Sequence, residues 1–282
     1  MTDPYSFYRT ILPPEALRPY IRSLWIYDGY RPEHLLDRVL PTGTLEIVVP
    51  VRGKRLSWRE LSGRDGTCRT ALVSGPRRSA FDVPTAPQGR LVGVHFHPGG
   101  AWPLFAIPMD ALAEQHHPLE DLLGASAREL AERIDDAASD AERLAMLSDF
   151  FLQRARASRA SHPAVARMMR RAERGSSDVV IAAEVAASGL SHRRFIELFR
   201  REVGLTPRDY LRVQRFQRAL DLAARTGRAG ADLAYEAGYA DQSHWILECR
   251  KHAGLSPREL LEKQRGARAV PPAERGQMLP IR

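Results

Sequence analysis

The chain has 282 residues, 44% of them apolar, two cysteines and a net charge of +8. That length suits two domains, each able to bury a core, while no apolar run approaches a membrane span and no basic region followed by an apolar stretch opens the N-terminus as a secretory signal would. Cys68 and Cys249 fall outside any metal-binding spacing and read as buried thiols in a reducing cytosol.

The positive charge is unevenly placed. Residues 1–160 hold 20 Lys and Arg against 20 Asp and Glu, whereas residues 161–265 hold 19 against 13 and residues 266–282 hold 3 against 1. A positive field confined to the second half draws polyanions, because neutralising phosphates releases condensed counterions. Charge by itself fits nucleic acid, an anionic membrane or a solubilising face.

In chain order, Pro13 and Pro14 precede a short turn or helix around Glu15–Tyr20. A strand over Ile21–Tyr27 follows, rich in β-branched and aromatic residues and ended by Gly29 and Pro32. Leu45–Val51 (LEIVVPV) is the clearest strand of the first half. Arg69–Ser74 and Leu91–His97 are two more, the latter alternating Leu91, Gly93, His95 and His97 against Val92, Val94 and Phe96. Turn signals separate these strands and no helical period intervenes before about residue 108, so the spacing predicts an antiparallel β-barrel or sandwich. After Pro108 short helices are expected over Met109–Gln115 and Ser126–Ile134, the second with Ser126 and Glu129 in capping-box spacing. Asp140–Ala157 makes a longer helix whose stripe of Leu144, Leu147, Phe151 and Leu152 suits packing on its own domain or a dimer face. Ala157–Pro163 reads as a linker, and Pro163–Arg174 as a helix stopped by Gly175.

The second half repeats itself. Gly204–Leu211 (GLTPRDYL) matches Gly254–Leu261 (GLSPRELL) at an offset of fifty, and Ala186–Phe195 pairs with Tyr235–Trp245 with one residue inserted. Each unit is a helix, a glycine turn, a second helix and a Gly-x-[Ser/Thr]-Pro stop. Gly189 and Gly238 stand where a tight helix–helix turn needs positive φ, and Ser191 and Asp241 are residue types that cap the following helix. On the first such helix Phe195, Leu198, Phe199 and Val203 share a core face, leaving Arg193, Ile196, Glu197, Arg200 and Arg201 outward. On the second, Trp245 and Cys249 face inward and Gln242, Ser243, His244, Ile246, Leu247 and Arg250 outward. One face buried and the other free to enter a major groove is what a helix-turn-helix requires. Pro207–Ala224 makes a long helix able to space the two readers about one DNA turn, roughly 34 Å, apart.

At these residues the chain resembles the AraC/XylS family of transcription regulators over about residues 178–262, with DLAYEAGYADQSHW and GLSP close to the family's second-unit signature. The first half is similar to an N-terminal domain of some members through LRPYIRSLW, LPTGTLEIVV, VSGPR and VGVHFHPGGA. The resemblance implies two helix-turn-helix units joined by a long helix, and a small β-rich sensor. Its pattern often carries arginine where this chain has Glu197 and Leu247. Glu197 suits a cytosine amino group and Leu247 a thymine methyl. Glu248, Cys249 and Ala253, polar or small on the inward face, predict a looser second unit.

The expected fold is therefore α+β: an N-terminal antiparallel β-barrel or sandwich-like domain with flanking helices, and an all-α C-terminal domain of two helix-turn-helix units. The expected boundaries are 1–157 for a sensor or dimerisation domain, 158–265 for the DNA-binding domain and 266–282 for a flexible basic tail. Arg193, Glu197, Gln242, Ser243 and His244 are the candidates for base contacts. Ser191, Arg194, Arg200, Arg201, Arg250 and Lys251 are the candidates for phosphate contacts. Partners would be double-stranded DNA, a small-molecule effector, a second copy of the chain and, for an activator, RNA polymerase, but no membrane. His95, His97, His116 and His117 lack the Cys or carboxylate companions of a metal set, and no nucleophile elbow or phosphate loop accompanies them, so no metal, cofactor or catalysis is expected. The expected role is a cytoplasmic, sequence-specific regulator that senses a small molecule. The alternative is a ligand- or partner-binding protein whose helix-turn-helix domain binds DNA weakly or without specificity.

Overall fold

The computed structural model describes residues 8–28, 33–52, 55–85, 89–173, 179–266 and 278–281. Its first half is built on strands whose alternation buries both faces. The strands are β1 (Tyr8–Ile11), β2 (Ile21–Tyr27), β3 (Leu36–Val39), β4 (Glu46–Pro50), β5 (Leu56–Glu60), β6 (Asp65–Cys68), β7 (Leu72–Ser74), β8 (Phe81–Pro84), β9 (Leu91–Phe96) and β10 (His116–Pro118). A last strand, β11 (Met278–Ile281), returns from the C-terminus. They form two antiparallel sheets, ordered β1-β2-β9-β4-β7-β10 and β11-β3-β8-β5-β6. The barrel-or-sandwich expectation thus resolves into two sheets rather than a closed barrel.

The period-2 pattern of β9 explains the layering. Val92, Val94 and Phe96 are buried with Ile47, Val49 and Val73 on one face of the six-stranded sheet. Helices cover that face: α1 (Trp102–Phe105), α2 (Leu119–Leu123), α3 (Ala125–Asp136) and α4 (Asp140–Ala155). Leu144, Leu147 and Phe151 of α4 are buried there, with the Phe151 ring edge-on to Phe96 at 5.5 Å. The α4 stripe therefore packs on its own domain. On the opposite face Trp25, Tyr27, Leu91 and His95 look toward the five-stranded sheet across a cavity.

Several expectations need correction. The helical region begins earlier than residue 108, with the single turn of α1, and Met109–Gln115 shrinks to a 3-10 turn over Met109–Ala111. Ser126 caps nothing: α3 starts behind Gly124, and Ser126 Oγ donates to the Leu123 carbonyl. The capping box belongs to α4, where Ser139 accepts from the Glu142 amide and the Glu142 side chain returns the bond. Met278–Ile281, expected in a flexible tail, is a strand paired with β3 from Met278–Val39 to Ile281–Leu36. Gly29, Pro32 and Gly175, expected as terminators, lie outside the described residues, as does most of the tail.

The second half is helical: α5 (Pro163–Glu173), α6 (Ile181–Ser188), α7 (His192–Val203), α8 (Pro207–Thr226), α9 (Ala231–Glu236), α10 (Gln242–Ala253) and α11 (Pro257–Gly266). Gly189 (φ 70°) and Gly238 (φ 85°) make the predicted left-handed turns. One core joins α5, α6, α7 and the start of α8; the other joins the end of α8 with α9, α10 and α11. Among the described residues no helix is long and apolar enough to cross a membrane.

Candidate nucleic-acid interface and apolar cavity

The helices α7 and α10 are built alike. Ser191 Oγ accepts from the Arg194 amide at 3.2 Å, and Asp241 Oδ1 accepts from the His244 amide at 2.7 Å. Phe195, Leu198 and Phe199 are buried on α7, and Trp245, Glu248 and Cys249 occupy the equivalent inward positions on α10. Outward on α7 stand Arg193, Arg194 and Glu197, and on α10 Gln242, Ser243, Leu247, Arg250 and Lys251. The structure thus exposes at both helix N-termini the residues expected to reach bases. His244 departs from this: it is half-buried, edge-on to Tyr239 at 5.2 Å.

Charge on α7 is partly spoken for. Arg193 Nε donates to Glu197 Oε1 at 2.8 Å, Arg194 lies 3.7 Å from the other oxygen, and these arginines hold the Glu197 carboxyl below its usual range. Arg200 bridges to Asp110 at 3.4 Å, and the half-buried Arg201 lays its guanidinium over Trp102 at 5.2 Å. Two of the six phosphate candidates therefore engage the N-terminal domain.

The inward Glu248 is no defect. Arg212 of α8 donates both Nε and Nη2 to it, and His252 Nε2 lies 3.1 Å from Oε2. Burial opposes its ionisation, but the bonds from His252 and Arg212 outweigh that and bring its carboxyl to about 2. The buried charge is satisfied, which removes one of the grounds for expecting a loose second unit; the small Cys249 and Ala253 are both fully buried in the core of that unit.

A cavity of about 130 Å³ lies between the two sheets. Trp25, Glu46, His95 and His116 line it from one sheet, and Trp58, Phe81 and Met278 from the other. Tyr8 bonds its hydroxyl to His95 Nε2 at 3.1 Å and stacks on Trp25 at 5.9 Å. His116 sits between Trp58 (4.4 Å) and Phe81 (4.6 Å), and Arg77 Nη1 donates to its Nε2 at 2.7 Å. Burial, reinforced by neighbouring arginines, depresses His95 to about 3 and His116 to about 2, so both imidazoles are neutral. A smaller neighbouring pocket shares Glu46, Ser74, Phe81 and His95 and is lined also by Pro41 and Thr42. Among the described residues no three His, Cys, Asp or Glu side chains group to hold a metal.

Residues 185–263 match the family described as "Helix-turn-helix domain". With the paired units and their caps, this decides the assignment. Residues 185–263 are an AraC-type helix-turn-helix domain. Residues 9–118 match a domain of unknown function (DUF6597). No curated protein matches the chain. Among solved structures, ToxT from Vibrio cholerae overlaps 91% of this chain and 98% of its own at 11% identity, with a TM-score of 0.43. Unsaturated fatty acid bound ToxT from strain SCE256 overlaps 93% and 97% at 13% identity, TM-score 0.42. The C-terminal domain of AraT, a response regulator from Geobacillus stearothermophilus, overlaps 37% and 88% at 20% identity, TM-score 0.34.

The AraC-type domain docks on the N-terminal one through a few polar contacts. Gln214 and Gln217 of α8 donate to the carbonyls of Thr42 and Pro41, and Arg38 donates to the Ala253 carbonyl at the end of α10. His252 meets the Arg78 carbonyl and accepts, through its own carbonyl, the Ala80 amide. These contacts and the cavity were invisible in the sequence, where His95 and His116 stood as satisfied or solvent-facing histidines without the companions of a metal set. The available signal was a tryptophan opposite a glycine in neighbouring strands, and it needs the register to be seen.

Proposed function

We propose that the chain is a cytoplasmic, sequence-specific transcription regulator, not an enzyme, which answers to a small-molecule effector held between the sheets of its N-terminal domain. The carrying observation is a pair of capped helices with the same inward and outward pattern, joined by α8, which is about 30 Å long at 1.5 Å per residue. The sensor half of the reading is supported by a smaller neighbouring pocket that shares Glu46, Ser74, Phe81 and His95 with the cavity and is also lined by Pro41 and Thr42. Those two carbonyls are the ones that receive Gln217 and Gln214 of α8. An effector that favours one arrangement of this loop biases the placement of both reading helices, as far as its affinity differs between arrangements. Leu247, 65% exposed on α10, suits contact with a thymine methyl, and the Glu197 carboxylate, paired with Arg193, suits a cytosine amino group.

The test is competition binding on genomic fragments across a salt series. Retention of particular fragments against excess competitor supports the reading. Uniform, steeply salt-sensitive binding to all fragments overturns sequence specificity and favours a ligand-binding protein with a weak DNA domain.

A further inference from the structure

We infer that residues 75–80, the short connection between β7 and β8, fix the spacing at which α7 and α10 meet DNA. The N-terminal domain then determines which separation of base-pair blocks one chain accepts. The inference rests on the DNA-reading function proposed above and adds the element that sets its geometry.

The two units need such an element. The core of the first takes Tyr210 and Val213 from α8, and the core of the second takes Phe216 and the residues beyond it. A single helix sets the distance along its own axis, while each unit remains free to turn about its own contacts with that helix.

The repeat meets the N-terminal domain at the same point twice. Gly204 and Gly254, matched at the offset of fifty, are the left-handed C-caps of α7 and α10, with φ of 91° and 67°. An added Cβ at Gly204 would fall 2.8 Å from the Pro76 ring and 3.0 Å from the Met109 carbonyl oxygen; at Gly254 it would fall 3.1 Å from the Arg38 guanidinium. Beside Gly254, the Ala80 amide donates to the His252 carbonyl at 2.8 Å, and Arg38 donates to the Ala253 carbonyl at 2.9 Å. Pro76 thus abuts the end of the first reading helix and Ala80 holds the end of the second. They are separated by four chain positions, which span at most about 14 Å.

That stretch is stiff. The Gly75 amide donates to the Gln115 carbonyl and the Glu114 amide to the Pro76 carbonyl, both at 3.0 Å. The Glu114 carboxylate accepts from the Arg78 amide at 2.7 Å and from the Ser79 hydroxyl at 2.9 Å, while Arg77 is buried on Glu60 and His116. One base pair inserted between two blocks moves the second by about 3.4 Å along the duplex and turns it by about 35°. Hydrogen bonds do not survive a displacement of that size. To follow the shifted groove, α10 must leave Ala80 and Arg38.

The test selects sites from random-sequence duplex with the full chain, then inserts base pairs between the two blocks, about one turn apart, that one chain reads. One inserted pair should lower the affinity of the unaltered chain about tenfold, as a mismatch within the site does. Glu114→Gly suits the left-handed backbone at that position (φ 58°) and removes the bonds to Arg78 and Ser79. Combined with Pro76→Ala it should leave the base preference of each block intact and cut the insertion penalty to about threefold or less. Glu114→Gly alone should cut the penalty by about half, and it carries the test should the double variant fail to fold in a urea melt. A role in stability alone would weaken binding by one common factor at every spacing. An unchanged insertion penalty in the folded variants, or an unaltered chain indifferent to insertion, overturns the inference and leaves the DNA-reading function in place. Recovery of no preferred sequence by the unaltered chain overturns both.

Discussion

Arg193 and Glu197 meet one turn apart on the exposed face of α7, at a spacing where side chains on a helix touch. The pair was legible as an i,i+4 combination, but its consequence was not: the residue best placed to read a base arrives with its charge already matched. Glu197→Gln should release Arg193 to the phosphate backbone. The expected result is a several-fold gain in affinity for non-specific duplex at low salt, a salt slope steeper by about one, and an unchanged melting temperature. An unaltered salt slope, read by fluorescence anisotropy, would sink that role for the pair. Glu248 teaches the opposite lesson. Its burial was foreseen as a weakness because its partner Arg212 lies 36 residues away on α8, a distance no local pattern bridges. Arg212→Ala strands a carboxylate that is 3% exposed and should cost about 3 kcal/mol in a urea melt. The sign with pH follows from the depressed carboxyl. Its stabilisation is whole above the ordinary value of 4.5 and disappears as pH falls toward about 2. In Arg212→Ala, where the folded carboxyl moves back up toward 4.5, the acid-dependent loss should be smaller.

Elements were legible where periodicity was strong. The strand over Ile21–Tyr27 has the bounds read from sequence, and the caps and turns of both helix-turn-helix units follow from Ser191, Asp241, Gly189 and Gly238. The five-stranded sheet was missed entirely. LSWRE (β5) and DGTC (β6) are short and polar on one side, and MLPI (β11) contains proline, a residue that sheets accept at an edge and a sequence reading discounts. With that sheet unseen, a cavity between two sheets could not be seen either. Gly66 is the element-scale test. It has ordinary backbone geometry, but an added methyl would fall 2.2 Å from the Trp58 ring, a side chain free to turn rather than a backbone atom. Gly66→Ala should therefore fold and push the indole into the cavity, abolishing uptake of a small apolar probe such as toluene while leaving circular dichroism unchanged. Undiminished toluene binding would show that the displaced indole turns away from the cavity.

At the scale of the whole molecule the two halves share more than a linker. Leu40 and Ala80 of the N-terminal domain are buried in the core formed by α8, α9, α10 and α11, and Leu279 of β11 joins them. Met278, one residue earlier, lines the cavity, and Lys263 Nζ of α11 donates to the Pro280 carbonyl at 3.1 Å. One short strand therefore edges the five-stranded sheet, closes part of the cavity wall and fills the helical core beside the second reading helix. Alternating strand geometry makes this obligatory: if Met278 faces the cavity, Leu279 must face away from it. Leu279→Ala leaves a hole in a fully buried site, where such truncations cost about 2–5 kcal/mol. Because the site belongs to both halves, unfolding followed at the sheets and unfolding followed at α10 should move to lower urea together. The tryptophans supply both signals, Trp25 and Trp58 beside the cavity and Trp245 in the α10 core, each isolated by replacing the others with phenylalanine. A shift in the α10 signal alone would mean that β11 belongs to the helical domain and only leans on the sheet. A shift in both makes the strand a physical connection between the cavity and the DNA-reading helices.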